Sequence, residues 1–454
     1  MYSFLSEHEQ KKKGIYRGTT LIIVAFSVAF YSRIVCTVTR LPSALNHLHF
    51  LVVPLVAIII LMTAKPKDKQ QIEIVQILFV GLLILFGLMI ASALINGAGV
   101  VNAIFLFMML GGPFILLLSI IALPMSEKSF ERFRKWIITA SFANMVLAFV
   151  QWPLLVSGRI TADGLDATDG MSGVFFPSGA GNYVSTTVSA YFSLYYLTFA
   201  KAAPLWLRIV TILGALWQLQ LSDSKQVLFV LFCGGGLLIL ANIQNGGKAL
   251  AYTILMIVLV AVFYWCIQNI DAFAAFKVYL DKDGIYEPDG EATRIKPIAF
   301  GIIVSHYSSP LNWLFGLGPG HTVGRLGGWL LEENWSILGP LGATLHAASE
   351  QVLQEYYNSW LALESTFYSP MFGWAGIWGD LGLLGLGTYL FIAYIIWRYL
   401  CFDNFSKFLL LSTAVFGFIF TQMEEPAYML YTTSLIALRW QEHKIGEQRK
   451  IRRL

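Results

Sequence analysis

The chain has 454 residues, 57% of them hydrophobic and only 13% charged, with a formal net charge of +4. A soluble domain carries about 25% charged residues, so the apolar excess exceeds what one aqueous core can bury, and lipid is its natural solvent. The small net charge and the lack of a basic tract interleaved with aromatics exclude a nucleic-acid binder.

In chain order, Lys11, Lys12 and Lys13 precede an apolar run in the manner of a signal peptide. The run is long, is interrupted by Arg33 and lacks a small-residue cleavage site, which predicts a first membrane span instead. Further runs of spanning length follow. With the first, they lie at residues 18–37, 46–64, 73–95, 102–123, 135–156, 183–200, 204–221, 226–243, 249–269, 376–397, 405–421 and 425–440. The expectation is an all-α fold: a polytopic transmembrane helical bundle of about twelve spans. It divides into a bundle over 1–269, a large outward loop over 270–375, and terminal spans with a basic tail over 376–454. The four cysteines, Cys36, Cys233, Cys266 and Cys401, lie in or beside apolar stretches without metal-ligand spacing and read as small buried hydrophobes.

Basic residues alternate in the short connections. Lys65, Lys67 and Lys69, then Lys128, Arg132, Arg134 and Lys135, then Lys201, Lys248, Arg398 and Lys407 fall on one side. The tail, with Lys444, Arg449, Lys450, Arg452 and Arg453, falls there too. The opposite connections hold little more than Arg40, Arg159 and Lys225. By the positive-inside rule both termini are cytoplasmic and the long loop faces outward. That loop is rich in Trp, Tyr and Leu, so it should pack on the bundle. Residues Ala292–His306 suit an amphipathic helix with Ile295, Ile298, Ala299 and Ile302 on one face, Pro297 fitting only its first turn.

The sharpest local feature is WLFGLGPGHTVGR, Trp313–Arg325. Gly316, Gly318, Pro319 and Gly320 form a tight turn whose N–H groups can converge on an anion. His321 is a candidate proton carrier and Arg325 a fixed cation; a plain glycine turn at the membrane surface is the alternative. Arg294, in GEATRIKP, is a second cation able to bind phosphate oxygens or simply to sit solvated on a helix face. Lys225, beside Asp223, and Arg159 are further outward cations. Arg33 reads as a snorkelling cation. Asp380, in GWAGIWGDLGLLGLG, caps a helix or faces a polar cavity. Asp163, Asp166 and Asp169, the Asp281–Asp283 pair, and Glu424–Glu425 read as solvated turns, and no metal site is expected.

Several of these features together resemble the O-antigen polymerase and O-antigen ligase superfamily. They are the loop arginine Arg294, the F-G-x-G-x-G turn after Trp313, the W-G-D-L-G-L-L-G-L run through Asp380, the D-G-M-S-G-V-F-F and G-x-G-N segments of residues 169–182, and Ser224 with Lys225. The likeness spans roughly residues 150–400. It implies a metal-independent, cofactor-free glycosyltransferase of the bacterial inner membrane, moving a glycan from a polyprenyl-diphosphate carrier to an acceptor glycan or lipid at the periplasmic face. In that reading Arg294 and Arg325 contact the diphosphate, His321 is the base, and Lys225, Gly318, Gly320, Arg159 and Asp380 bind substrate. Membrane lipids surround the bundle, and export or chain-length proteins are conceivable partners. Two departures matter: Lys225 stands where the family has arginine, and no His-Asn pair occurs in the loop. A transporter or flippase of lipid-linked oligosaccharide is the rival. It predicts internal repeats and ionisable residues deep in the spans, whereas here they cluster at outer boundaries.

Overall fold

The structure, a computed structural model, describes residues 7–66, 68–162, 165–243, 246–269 and 284–451. Asp163 and the Asp281–Asp283 pair lie outside the described residues. Every regular element among the described residues is helical. The helices of eight or more residues are α1 (Glu7–Thr39), α2 (His49–Thr63), α3 (Lys69–Asn96), α4 (Val100–Leu110), α5 (Gly112–Ala122), α6 (Glu127–Val156), α7 (Gly181–Phe199), α8 (Leu205–Leu221), α9 (Lys225–Ala241) and α10 (Gly246–Asn269). After the first part of the long loop come α11 (Ile298–Ser305) and α12 (Ala347–Asn358), then α13 (Gly373–Tyr399), α14 (Asn404–Ile419) and α15 (Pro426–Ile451).

Local chemistry sets many of the boundaries. Asp68, Ser126 and Asp403 cap α3, α6 and α14 by accepting a first-turn backbone N–H, and Gly97 ends α3 in the left-handed region. Among the described residues, six helices are long and apolar enough to cross a membrane, and α4 with α5, bent by 52° at Gly111, makes a seventh if counted as one span. Helices α8, α9 and α14 are apolar but of 16 or 17 residues, short of the ~20 that a full hydrocarbon core requires. Helix α7 is rich in Ser, Thr and Tyr that turn inward, so its sequence is too polar to score as a free-standing span.

The core lies along α5 and α15. All eleven residues of α5 are buried, and Tyr428, Tyr431 and Trp440 of α15 are among the largest side chains that are almost wholly buried. Outward faces are apolar as well. Trp206, Leu213 and Trp217 of α8 and Leu250, Ile254 and Ile257 of α10 are more than half exposed, a surface matched to lipid rather than water.

Helix ends gather at two ends of the bundle. At one, Lys444 pairs with Asp68, Arg449 with Glu127, and Arg439 with Asp403. At the other sits the long loop, packed on the bundle as its aromatic content predicts. The Asn102 amide donates to the carbonyls of Pro319 and Thr344, and the Asn312 amide to Asn96 Oδ1. The helix expected over residues 292–306 is instead two pieces, Glu291–Ile295 and α11, broken at Lys296 and Pro297. Proline has no N–H to continue the ladder. The buried face is Ile295, Ala299 and Ile303. Lys296 turns inward there, donating to the carbonyls of Phe367 (2.6 Å) and Ile419 (2.8 Å), and burial pushes its ammonium down to about 7.

Candidate functional site: an arginine-lined cavity beneath the long loop

Two glycine-rich motifs distant in sequence fold into one clasp. Leu317 N–H donates to Gly379 O (2.8 Å) and Gly318 N–H to Asp380 O (3.1 Å), while Ser92 Oγ donates to the carbonyls of Phe315 and Asp380. The approach is so close that Gly382, at φ 64° within α13, has no room for a side chain: a Cβ there would lie 2.6 Å from Gly316 N. Gly316, Gly318 and Gly320 also take positive φ, where only glycine is unstrained. The turn's N–H groups do converge on an anion, and that anion is the Asp380 carboxylate. It accepts from Gly320 N (2.8 Å), Thr322 N (2.9 Å) and Thr322 Oγ1 (2.6 Å) and is fully buried.

The clasp delivers Arg325 into a cavity of about 660 Å³. Its wall is assembled from the C-terminal part of α1 (Arg33), the α1–α2 connection (Asn46, His47), the start of α7 (Tyr183), the loop (Arg325, Glu333) and the α14–α15 turn (Gln422, Glu425). A void of about 20 Å³, room for about one water, lies between Arg33, His49, Arg325 and Glu425 and shares that wall. A second groove, of about 410 Å³, meets the main cavity at Asp169, Tyr183, Glu364 and Thr366. It is lined by Phe229, Phe232, Ile267 and Phe367, with Lys225 paired to Asp223 at 2.6 Å. The two voids adjoin through those shared residues, the first holding the guanidiniums and the second largely apolar.

Arg325 is buried and ion-paired to Glu425, and its backbone N–H donates to Glu424 Oε2 (2.6 Å). Burial and the neighbouring Arg33 push its pKa down to about 9, against Glu424 and Glu333, so it stays charged at neutral pH. Burial, then the nearby Asp380, push Glu424 up to about 8. Asp169 is raised by burial and by Asp223 and Asp166, with Lys225 and a hydrogen bond from Asn182 opposing. Asn46 Oδ1, His49 Nε2, Arg325 Nε and Gln422 Nε2 are buried with no hydrogen-bond partner among the described residues. Such atoms are normally satisfied, and here all four belong to side chains lining these two voids.

The residues singled out from sequence fall into three groups. Arg325 lines the main cavity and Lys225 the apolar groove. Gly318, Gly320, Asp380 and His321 build the clasp. His321 is buried, its Nδ1 at 2.9 Å from Leu317 O and its Nε2 at 2.8 Å from Thr344 Oγ1, with its ring stacked on His346. Both ring nitrogens are engaged, and burial pushes its pKa down to about 4. Arg294 and Arg159 are exposed on the surface and are not among the residues lining the main cavity or the groove. Arg33, expected to snorkel, faces the cavity, and Glu424 and Glu425, expected in a solvated turn, are buried. His47 and Glu333 were not singled out at all. Only the packing of α1, the loop and the α14–α15 turn brings them together.

No protein-family model matches the chain, and neither a curated protein nor a solved structure matches it significantly.

Proposed function

We propose that the protein is a polysaccharide polymerase or ligase that takes glycan from a polyprenyl-diphosphate carrier at the periplasmic face of the bacterial inner membrane. In this reading the chain crosses the membrane about twelve times, with α4 and α5 as one bent crossing, the short helices α8, α9 and α14 included, and both termini cytoplasmic. The observation that carries the proposal is a cavity holding Arg33 and Arg325 that adjoins a largely apolar groove. A lipid diphosphate has that polarity.

The arginines hold the diphosphate oxygens, and Lys225 adds positive charge on the wall of the groove. The acceptor hydroxyl attacks the anomeric carbon as the carbon–oxygen bond to the diphosphate breaks. The bonding pair leaves with the diphosphate, whose growing charge the fixed guanidiniums stabilise. The hydroxyl proton goes to His47, the histidine that opens on the main cavity. Glu425 is held in its ion pair with Arg325 and is the poorer acceptor. His321, with both nitrogens engaged, keeps the clasp in shape rather than moving a proton.

The test is complementation of a deletion strain, reading surface polysaccharide and lipid-linked intermediates. Arg33→Ala, Arg325→Ala and His47→Ala lose polymer and accumulate carrier-linked glycan at normal protein level, while His321→Gln retains polymer. Single repeats on the carrier identify a polymerase and full-length chains a ligase. Normal polymer in Arg33→Ala and His47→Ala contradicts the assignment, and carrier-linked glycan trapped on the cytoplasmic side identifies a flippase instead.

A further inference from the structure

Three histidine rings tie separate parts of the long loop together. His346 stacks on His321 of the glycine turn, with centroids 5.0 Å apart and planes 24° from parallel. It also meets His306, just past the end of α11, at 5.3 Å and 72°. His346 is at the same time the N-cap of α12: from extended backbone, its Nδ1 accepts the N–H of Ala348 at 3.1 Å. Helix caps are usually Ser, Thr, Asp or Asn, none of which ordinarily changes charge between about pH 5 and 8, as histidine does. Helix α12 carries Leu353, Tyr356 and Tyr357 into the wall of the main cavity, so the security of its first turn bears on the shape of the site.

The cap works only while Nδ1 holds a lone pair, with the ring neutral and its one proton on Nε2. A second proton must go to Nδ1, where it faces the Ala348 N–H. That donor then loses its acceptor, and the new charge sits at the positive end of the helix dipole. The titratable groups facing the ring are His306 and His321 from the neighbouring segments and Glu350 from the first turn of α12. Of the segments packed on α12, α11 and residues 326–330 carry no charged side chain, and residues 360–364, beyond its far end, carry only Glu364. Burial and then His306 hold the His346 ring below the ordinary 6.5, with Glu350 opposing. The capping contribution is therefore full above that value and is lost as pH falls through the lower, folded one. His321, pushed down to about 4, stays neutral over the same mildly acidic range. We infer that His346 is an acid-sensitive cap: proton uptake on its ring frays the first turn of α12 and loosens the stretch of cavity wall that the helix carries.

The test is hydrogen–deuterium exchange of the full-length protein in detergent, corrected for the intrinsic rate, at about pH 7.5 and about pH 5. In the wild type, peptides within residues 347–357 lose protection by about fivefold at the acid pH, while peptides of α13 are unchanged. His346→Asn, which supplies a cap that does not titrate, keeps the protection at both pH values. His346→Ala, with no capping acceptor, is frayed to the same extent at both. Wild-type protection that is equal at the two pH values overturns the inference, as does an acid loss that persists in His346→Asn or spreads equally to α13. Full protection of His346→Ala at the higher pH overturns it as well, since the cap would then hold nothing.

Discussion

Arg33 and Arg325 come from opposite parts of the chain and meet across one cavity, so their spacing in sequence says nothing about their partnership. Arg325 was legible because it closes a compact glycine motif. Arg33 was not: a lone arginine near the end of an apolar run has an adequate account in snorkelling. His321 illustrates the reverse. Its neighbourhood advertises proton chemistry, but both of its ring nitrogens are engaged within the clasp, a fact that is not visible in sequence. Glu424 yields a prediction at the same scale. Its folded pKa, near 8, lies above the ordinary glutamate value of 4.5. The native state therefore holds a proton that the unfolded chain releases between these values. The contribution to stability is full below pH 4.5, declines as pH rises and is lost by about pH 8. Glu424→Gln should flatten that alkaline loss. Thermal midpoints in detergent at pH 6 and pH 8.5 check it: the wild type falls more steeply than the variant between the two.

At the scale of elements, the clasp between the loop turn and α13 is the feature that holds the site. Both motifs were readable as glycine-rich segments, and their joint resemblance to one family rests on them. Their contact was not readable, because nothing local tells that the N–H groups of Gly320 and Thr322 are aimed at Asp380 rather than at a ligand. Gly382 tests the clasp. Its backbone lies at φ 64° against Gly316, so Gly382→Ala adds both strain and a backbone clash and should destabilise by about 3 kcal/mol or more. Asp380→Asn, which replaces one acceptor oxygen with a donor facing backbone N–H groups, should cost about 2 kcal/mol. Limited proteolysis reads both: cleavage within residues 306–346 appears in the variants under conditions that leave the wild type intact. The break at Pro297 was half legible, since proline suits a first turn, but the direction of Lys296 depends on the carbonyls of Phe367 and Ile419.

For the whole molecule, the all-helical class and an apolar outer surface followed from composition and run length, because lipid asks little more of a sequence than that. The count of crossings is harder to read, since helices such as α7 bury their Ser and Thr against neighbours and therefore score as polar. The proposed orientation predicts that Glu332→Cys, on the loop, reacts with a membrane-impermeant maleimide in intact spheroplasts of a cysteine-free variant. Glu447→Cys, in the tail helix, reacts only after lysis. Labelling of both before lysis contradicts the orientation. The central claim, that Arg33 and Arg325 form a lipid-diphosphate site, is tested most directly by titrating farnesyl diphosphate into the purified protein. The account predicts binding that Arg33→Ala and Arg325→Ala each weaken by about tenfold or more and that His321→Gln leaves within about twofold. Binding that is indifferent to both arginine substitutions would contradict it.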